Sequence, residues 1–510
     1  MNKYIASIGA AALCSLSAFA ADLEVTADTN WGGIASGDTI YFLGNDLTLK
    51  RSGWQRDLNN ITFNAGPYTG NKVLMASDSN YLQFNSGNSI IGEGGSITFE
   101  AADDGENYAE LRFSGNNVSI DNANVTFKAS DRGVSVNSAT RAISLTNGAV
   151  VNVDFSGKSI QDGCGLLLQV QSKNSAINFV GDRSEFNNIA FSGVNSSVNG
   201  YAVNFQNTGG SISFRSTVFS DFGRATVNAN GKDIVFDAVK ENTYTATNFT
   251  NYKTIILTGT GAQNLNSSSF SGGSVLINSA TSKWQGNITV QSTLTVDGET
   301  DFTLGTATDN PIMVSGGGVI TVNKGTQTSA SITSNGYFHL NTNTTLVLNR
   351  SLVNASNVAM RLGNNSKLIL NEKSTLDTVF TLVSGAKATL GVGADLTLKG
   401  FDFAAAGSVL TLDFANGAVL EVSELQNFTE NGGTIKIAGD IVNRFKLAAT
   451  DEQKSDWENR IFDANGNKVS WTKISEGLWF VNSSAVPEPA TVAAIFGAVA
   501  LGFAAWRRRR

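Results

Sequence analysis

A short alternation of apolar and polar residues recurs along most of the chain, from about Leu23 to Leu447. Each repeat places a polar residue, most often Ser or Thr, between two apolar residues, and a polar turn follows. The examples include Leu47-Thr48-Leu49, Ile97-Thr98-Phe99, Val125-Thr126-Phe127, Leu294-Thr295-Val296 and Leu410-Thr411-Leu412. A period of two with β-branched and aromatic residues is typical of strands that bury one face. The pattern therefore predicts many short β-strands.

The turns between these segments contain Asn-Gly pairs, which begin at Asn147, Asn199, Asn230, Asn335, Asn416, Asn431 and Asn465. Both residues tolerate positive φ, so each pair predicts a tight bend. Asn-Gly is also common in two-residue hairpins, and an antiparallel β-sandwich or barrel array is therefore an alternative fold. The pattern stays uniform from residue 23 to residue 447, which favours a repeat architecture instead.

An all-β fold, a β-solenoid of the right-handed parallel β-helix type, is the predicted architecture. Outside the C-terminal tail the prolines are Pro67 and Pro311, as expected if stacked strands need every backbone N–H. With about 20 to 25 residues per coil, the array would hold about 17 to 20 coils. We find no strict period, so the register of the coils does not follow from the sequence.

The pattern changes near residue 448. Thr450 and Gln453 form a capping box, which predicts a helix from Thr450 to Phe462. The segments Val469–Ile474 and Leu478–Val481 predict a hairpin. Residues 448–485 are thus predicted to be a small α+β cap that covers the open edge of the last coil. The tryptophans that could close the two ends are Trp31 and Trp54 in the N-terminal region and Trp457, Trp471 and Trp479 in the cap.

The N-terminal residues 1–20 have the features of a secretory signal peptide. Lys3 provides a positive charge, Ile5–Leu16 is apolar, and the small residues Ala18 and Ala20 precede Ala21, where we expect cleavage. A lipoprotein signal that uses Cys14 is the competing interpretation. The large residue Leu13 immediately before that cysteine argues against it.

The C-terminal residues 486–510 contain three features in order. Pro487, Glu488 and Pro489 predict an exposed, extended triplet. The seventeen apolar residues 490–506 would form a single short transmembrane helix of about 25 Å, against a hydrocarbon core of about 30 Å. The four arginines Arg507, Arg508, Arg509 and Arg510 favour the cytoplasmic side, which places the rest of the chain outside.

This order of features resembles the PEP-CTERM protein-sorting signal of Gram-negative bacteria. The resemblance covers only the last twenty-five residues, from Val486 to Arg510. It implies that the tail is recognised by exosortase, a Cys-dependent membrane transpeptidase, which removes it during export. It implies how the protein travels and says nothing of what the ectodomain, residues 21–447, does.

Charge and cysteine content exclude several classes of function. The net charge of −7 becomes about −11 once the signal peptide and the tail are removed, so we expect no nucleic-acid partner. Charged residues make up 15% of the chain, below the roughly 25% of typical domains, so neutral polar groups must form the surface. Only Cys164 remains after removal of the signal peptide, so the mature chain can form no internal disulfide.

We assign no catalytic residue, cofactor or metal site from the sequence. The single histidine, His339, is expected on the surface opposite Phe338 and Leu340, and Cys164 is expected to be structural. The densest acidic patch contains Asp103, Asp104, Glu106 and Glu110, which we interpret as a solvated loop, with calcium binding as the alternative. The segment Asp463-Ala464-Asn465-Gly466-Asn467 resembles the start of a calcium loop, but an Asn-Gly turn explains it better.

The sequence therefore predicts an exported, non-enzymatic structural or adhesion protein. It would be held in the inner membrane as a precursor and then reach the cell surface, outer envelope or extracellular matrix. Its expected partners are signal peptidase, an exosortase-like transpeptidase and an extracellular polysaccharide or other glycan. One alternative is a β-helix polysaccharide hydrolase or lyase, whose carboxylates stacking would assemble. A second alternative is an autotransporter-like passenger, whose strand repeats look similar.

Overall fold

The alternating segments form short parallel strands that pair from one turn of the chain to the next. In the computed structural model, the protein is all-β, with 56% strand and 2% helix, and forms a β-solenoid of about 16 turns. The structure describes residues 22–482 except 33, 53–55, 116, 138, 298–300, 305–311, 324–326, 329–336, 350–351, 354–358 and 440. The predicted β-solenoid is confirmed, with slightly fewer turns than expected.

Two compact units divide the chain, Met1–Lys283 and Trp284–Arg510, and each is described by itself. The strands of the first unit begin with β1 (Asp22–Val25), β2 (Thr29–Asn30), β3 (Thr39–Phe42), β4 (Thr48–Arg51), β5 (Arg56–Leu58), β6 (Thr62–Asn64), β7 (Asn71–Met75), β8 (Tyr81–Phe84), β9 (Asn88–Ile91) and β10 (Ser96–Ala101). They continue with β11 (Glu110–Phe113), β12 (Asn117–Asp121), β13 (Asn124–Lys128), β14 (Val134–Val136), β15 (Thr140–Thr146), β16 (Val150–Asp154), β17 (Gly165–Val170), β18 (Ala176–Phe179), β19 (Glu185–Asn187) and β20 (Ile189–Gly193). After a 3₁₀ turn at Ser196–Val198 come β21 (Tyr201–Phe205), β22 (Ser211–Ser216), β23 (Ala225–Asn228), β24 (Asp233–Ala238), β25 (Glu241–Thr245), β26 (Asn248–Thr250), β27 (Thr254–Asn266), β28 (Ser269–Ser271) and β29 (Ser274–Gln285).

The second unit continues the numbering. Its first strands are β30 (Asn287–Val290), β31 (Thr293–Val296), β32 (Asp301–Leu304), β33 (Ile312–Ser315), β34 (Val319–Val322), β35 (Gln327–Thr328), β36 (Tyr337–Leu340), β37 (Thr345–Leu348), β38 (Leu352–Val353), β39 (Ala359–Leu362) and β40 (Lys367–Leu370). Next come β41 (Ser374–Leu382), β42 (Lys387–Val392), β43 (Leu396–Asp402), β44 (Val409–Phe414), β45 (Leu420–Gln426), β46 (Thr434–Ala438) and β47 (Phe445–Ala448). The chain then forms helix α1 (Asp451–Trp457) and the strands β48 (Ile461–Asp463), β49 (Ser470–Ser475) and β50 (Leu478–Asn482).

The described strands of the first unit form parallel ladders, which are runs of strands paired in succession. Ladder 1 contains β1, β3, β6, β9, β12, β15, β17 and β20. Ladder 2 contains β2, β4, β7, β10, β13, β16, β18, β21, β23, β26 and β28. Ladder 3 contains β5, β8, β11 and β14, and ladder 4 contains β19, β22, β24 and β27, with β25 also paired to β27.

Two ladders of eight strands each run through the described part of the second unit. Ladder 5 contains β30, β33, β36, β39, β41, β43, β45 and β47. Ladder 6 contains β31, β34, β37, β40, β42, β44, β46 and β48. These pairings are parallel, so the alternative of an antiparallel sandwich or barrel array is wrong.

Two of the Asn-Gly pairs make corners between ladders, whereas the pair at Asn465 lies within a turn closed by an antiparallel bridge between Phe462 and Lys468. Asn147 and Gly148 have φ of 52° and 83° and connect β15 of ladder 1 to β16 of ladder 2. Asn230 and Gly231, with φ of 51° and 76°, connect β23 to β24 in the same way. A residue with left-handed backbone at these positions does not reverse the chain direction. It turns the chain from one face of the coil to the next.

Coil length varies along the chain, which explains the absence of a strict sequence period. Ile90 pairs with Ile120, 30 residues later, whereas Phe236 pairs with Leu257, 21 residues later. The extra residues lie in the turns, because the strand positions stay in register. The sequence therefore shows the strands but hides which strands are neighbours.

Inward-pointing apolar residues of successive coils stack on one another to form the core. The first unit stacks phenylalanines, such as Phe99 on Phe127 and Phe214 on Phe236, with ring centroids 5.6 and 5.3 Å apart. At its N-terminal end Trp31 is 3% exposed and packs edge-on against Phe63 at 6.1 Å, whereas Trp54 lies outside the described residues.

The C-terminal cap contains the predicted helix and hairpin. The Thr450 hydroxyl accepts from the Gln453 N–H at 3.1 Å, and the Gln453 side chain accepts from the Thr450 N–H at 3.0 Å, so the capping box is confirmed. The helix ends at Trp457 rather than Phe462, because Ile461–Asp463 joins ladder 6 as β48. Strands β49 and β50 form the hairpin, turning at Gly477 with φ of 72°, and β50 also pairs antiparallel with β47.

No helix among the described residues has the length and apolar character needed to cross a membrane. The transmembrane helix predicted for residues 490–506 lies outside the described residues.

Candidate functional site

The predicted sorting and cleavage residues lie outside the described residues. They are Ala18, Ala20, Ala21, Pro487, Glu488, Pro489, Arg507, Arg508, Arg509 and Arg510. The described part of the chain reaches Asn482, so the structure defines what immediately precedes the C-terminal tail. The cleavage positions themselves stay predictions.

Strand β50 leads the chain out of the cap from a central position. It lies between β47 and β49, paired antiparallel with both. Its last residue, Asn482, is 8% exposed, and its side-chain oxygen accepts from the Asn443 N–H at 2.6 Å. The fold is therefore ordered up to a residue that lies just before the tail.

Aromatic and basic side chains hold this exit strand against helix α1. The indole N–H of Trp479 donates to the Ala449 carbonyl at 3.0 Å, and the ring is 9% exposed. The ammonium groups of Lys454 and Lys473 lie 5.2 and 5.1 Å from its centroid, which is within the range of a cation–π contact. Trp471 packs edge-on against the same ring at 6.4 Å.

The acidic patch around Asp103 and Asp104 is a turn whose carboxylates are engaged by protein groups. Asp103 accepts from the Gly105 N–H at 2.8 Å and pairs with Arg132 at 3.2 Å. These contacts, the backbone one first, lower the pKa of Asp103. Asp104 accepts from the N–H of Asn107 at 2.7 Å, which is the first of the contacts that lower its pKa.

Asp103, Asp104 and Glu106 lie in an exposed turn, whereas Glu110 lies on the strand that follows it. Glu106 is exposed, and its N–H donates to Asp104 at 3.1 Å. Glu110 lies on β11, where its carboxylate forms an ion pair with Arg112 at 2.6 Å. Among the described residues, no group of three or more His, Cys, Asp or Glu side chains is arranged to hold a metal ion.

The sequence segment that resembles a calcium loop is also a self-contained turn. Oδ1 of Asp463 accepts from the N–H groups of Asn465 and Asn467 at 2.9 and 2.8 Å. Its second oxygen accepts from the Asn467 amide at 3.0 Å, and the carboxylate is buried. An aspartate that caps its own turn needs no ion to satisfy its oxygens.

A second group of charges lies in a groove of about 220 Å³ lined by Asp131, Ser156, Lys158, Asp182, Arg183, Ser184 and Glu185. Arg183 pairs with Asp131 at 3.2 Å and with Asp182 at 3.4 Å. Asp154 lies on β16 close to this arginine, and burial raises its pKa. A carboxyl group with a raised pKa is the kind of group that general acid catalysis requires.

His339 lies on a strand and Cys164 lies in a turn, and both side chains are partly buried. His339 lies on the outer side of β36, between the buried residues Phe338 and Leu340, and pairs in register with Arg361. Partial burial, and then the charge of Arg361, lower its pKa. Cys164 is half-buried in a turn, where its N–H donates to the Gln161 carbonyl at 3.1 Å.

Sequence reasoning missed one cluster on the outer side of ladder 3, in which Tyr81, Tyr108 and Arg112 come together. Tyr108 and Arg112 lie close together in the sequence, and the register of β8 with β11 brings Tyr81 of the preceding coil beside them. Because coil length varies, no spacing in the sequence could have identified the cluster.

Comparison with known proteins informs only the end of the chain. No curated protein and no solved structure matches this sequence. Residues 485–510, which follow the cap almost directly, match the PEP-CTERM protein-sorting motif. The chain thus carries a PEP-CTERM sorting signal, and this signal implies an exported protein that is membrane-anchored before processing and sorted by exosortase.

Proposed function

We propose that the protein is a non-enzymatic structural or adhesion protein of the cell surface or extracellular matrix. The observation that carries the proposal is the order of its parts: a β-solenoid closed by a folded cap, followed directly by the sorting motif at residues 485–510. In this proposal the solenoid is the cargo and the tail is a temporary anchor. Signal peptidase cuts before Ala21, and an exosortase-type enzyme cuts near Pro487.

The surface of the solenoid supports a structural role. Asn152, Asn178 and Asn204 each donate a side-chain hydrogen bond to the asparagine of the preceding coil, at 2.7, 2.8 and 2.9 Å. Asn349 and Asn371 continue the same arrangement in the second unit, at 2.7 and 2.6 Å. These rows of asparagine hydrogen bonds connect neighbouring coils through uncharged groups. The folding stability that they contribute should therefore depend little on salt concentration.

Most carboxylates described above also have a structural task, which supports a non-enzymatic role. Asp103, Asp104 and Asp463 cap turns, and Glu110 is held by an arginine. Glu100 is held between Lys72 and Lys128, at 2.9 and 3.1 Å. These contacts lower the pKa of Asp103 and Asp104, and against the effect of burial they also lower that of Glu100. A carboxylate with a lowered pKa makes a poor general acid at neutral pH.

Intact mass of the protein recovered from the cell surface tests the proposal. We expect a chain that begins at Ala21 and ends near Pro487. Replacing Pro487 and Pro489 with Ala should leave uncut protein in the membrane, because the extended triplet would be lost. The matched control is Pro67→Ala, which changes an exposed proline of the solenoid.

Two results would contradict this proposal. One is an intact mass showing that the wild-type protein at the cell surface still contains the C-terminal tail. The other is a double proline variant that is processed as efficiently as Pro67→Ala. Replacing Arg507–Arg510 with Ser should have a different effect, impairing retention and orientation rather than cleavage.

Polysaccharide cleavage by a hydrolase or lyase mechanism is a second candidate function, and the environment of Asp154 favours it. Its pKa is raised by burial, and it lies close to the charged groove that contains Asp131, Asp182 and Arg183. Incubation of the protein with a panel of glycans tests this candidate. New reducing ends or unsaturated products that disappear in Asp154→Asn would establish an enzyme and overturn the non-enzymatic proposal.

A further inference from the structure

A groove of about 270 Å³ on the outer side of ladder 3 combines two tyrosines with balanced charges. It is lined by Asn80, Tyr81, Tyr108, Glu110 and Arg112. Ladder 3 supplies a rigid base, because β8 and β11 pair in register with Tyr81 beside Glu110. Groups that bind ligands are held best on regular strands of this kind.

The first tyrosine is held by an arginine of the next coil. The Arg112 guanidinium lies 3.8 Å from the centroid of the Tyr81 ring. Glu110 holds that guanidinium in turn, at 2.6 Å, and also accepts from the Ser135 hydroxyl at 3.1 Å. The ring of Tyr81 is thus fixed by a network that spans three strands.

The second tyrosine is presented by the loop between β10 and β11. Tyr108 forms an antiparallel bridge with Asp103 across this loop. The Arg132 guanidinium lies 4.6 Å from its ring centroid, and Asp103 pairs with that guanidinium at 3.2 Å. The turn that looked like an acidic patch in the sequence therefore serves to position Tyr108.

The two arginines beside the tyrosine rings are each paired with a carboxylate, and the carboxylate of Asp57 on β5 adds a further negative charge near Tyr81. Arg112 is neutralised by Glu110, and Arg132 is neutralised by Asp103. An anionic ligand would have to compete with these carboxylates, and a cationic ligand with these arginines. The ligand that suits the groove is therefore uncharged.

The chemistry of the lining further restricts the ligand. Aromatic rings offer flat apolar surface with a polar tip, and the Glu110 carboxylate and Asn80 amide accept hydrogen bonds. A sugar unit has the complementary form, with apolar C–H faces and hydroxyl donors at its edge. The volume lies below the roughly 300–1,000 Å³ of pockets that enclose a whole small ligand, so an open stretch of a longer chain fits better.

We propose that this groove, formed by Tyr81, Tyr108 and Glu110, binds a neutral polysaccharide. The inference extends the proposed function, since it names the partner of an exported protein, but the binding itself does not require sorting. The tyrosine rings contact the faces of the sugar units. Glu110 accepts from sugar hydroxyls while Arg112 holds its carboxylate in place.

Affinity electrophoresis of the full-length protein in detergent tests the inference. Native gels would contain dextran, galactomannan or starch as neutral polysaccharides, or alginate as the anionic one. We expect at least one neutral polysaccharide to retard the wild type and alginate to have no effect. Tyr81→Ala and Tyr108→Ala should each weaken the retardation at least about tenfold.

Two further variants separate ring contact from loss of fold. Tyr41→Ala is the matched control, because Tyr41 is an outward-facing tyrosine of β3 in ladder 1, and it should bind as the wild type does. Tyr81→Phe keeps the ring and should retain most of the binding, whereas Glu110→Gln should weaken it. Far-UV circular dichroism would verify that each variant retains the β-solenoid.

The proposal is overturned if none of the neutral polysaccharides retards the wild type, or if alginate alone does so. It is also overturned if Tyr41→Ala loses binding as much as Tyr81→Ala, which would indicate a site elsewhere. These outcomes are independent of sorting. A protein that binds dextran but keeps its tail would contradict only the proposed function, and a correctly processed protein without binding would contradict only this inference.

Discussion

The two units fill the same kind of strand with different residues. The first unit stacks aromatic rings, with Phe179 against Phe205 at 5.2 Å and Phe249 against Phe270 at 5.2 Å. The second unit stacks aliphatic chains along ladder 6, where Leu346, Leu368, Leu390 and Leu412 are paired in register and at most 1% exposed.

The number of ladders around the core does not explain this difference. In the first unit, ladders 1, 2 and 3 each receive a strand from the same coil, as β6, β7 and β8 do. Ladder 3 ends at β14 and ladder 1 at β20, however, and the stacked rings of Phe249 and Phe270 lie beyond both ends. Core composition therefore changes along the chain independently of the number of ladders.

Truncating a stacked ring should have the largest effect. Phe214 is fully buried and lies within about 5.2 to 5.3 Å of Phe186, Phe179 and Phe236. We expect Phe214→Ala to lower the free energy of unfolding by about 3–5 kcal/mol, since a ring-sized cavity would remain. Hydrogen exchange should show the loss in the first unit, because repeat arrays open locally. An effect below about 1 kcal/mol would mean that the rings do not hold this core together.

Truncating a stacked leucine should cost less. Leu390 is fully buried between Leu368 and Leu412. We expect Leu390→Ala to lower the free energy of unfolding by about 2–4 kcal/mol, because fewer atoms are removed. Leu390→Phe should also destabilise, by about 1–3 kcal/mol, since a fully packed site has no room for a ring. Slower hydrogen exchange in the second unit of Leu390→Phe would instead show that this core can accommodate a ring.

The C-terminal end of the second unit contains helix α1, and the capping box of this helix should contribute less to the free energy of unfolding than the stacked core residues. Thr450→Ala removes the hydroxyl that accepts from the Gln453 N–H, so we expect a loss of about 1 kcal/mol. Thr450→Ser keeps the hydroxyl and is the control. Chemical denaturation followed by tryptophan fluorescence measures both, because Trp457 and Trp479 are buried in the cap. Equal stability of the two variants would show that the capping box is unimportant.

Lowering the pH should reduce the folding stability of the two units in different pH ranges. We expect this change in stability to be the smallest of those predicted. His339, in the second unit, has a lowered pKa, so the unfolded chain takes up a proton first as the pH falls below about 6.5. Stability is therefore full above that pH and declines below it, and His339→Asn should remove the decline. Asp103 and Asp104, in the first unit, also have lowered pKa values, and their contribution is lost only as the pH falls below about 4. Hydrogen exchange measured from pH 7 to about pH 2 checks both, and a decline confined to the first unit near pH 6 would contradict the assignment.

Local features were predictable because each depends on a few adjacent residues. The alternation around Thr126 defines a strand, the Asn147-Gly148 pair defines a bend, and Thr450 with Gln453 defines a helix start. The sorting motif is also a linear signal, so the match to residues 485–510 agrees with what the tail alone indicated. The helix end at Trp457 was not predictable, because ladder 6 captures Ile461–Asp463 as a strand.

By itself the sequence indicated a β-solenoid with a PEP-CTERM tail, since periodicity, turn residues and motif order are all local information. Only the tertiary structure decided which residues meet on the surface. Tyr81 and Glu110 are neighbours because one coil has 29 residues at that point, and a coil of 25 would have placed another residue beside the ring. Strand pairing depends on turns of variable length, whose geometry is set by packing against adjacent coils, so the groove exists only in the folded protein.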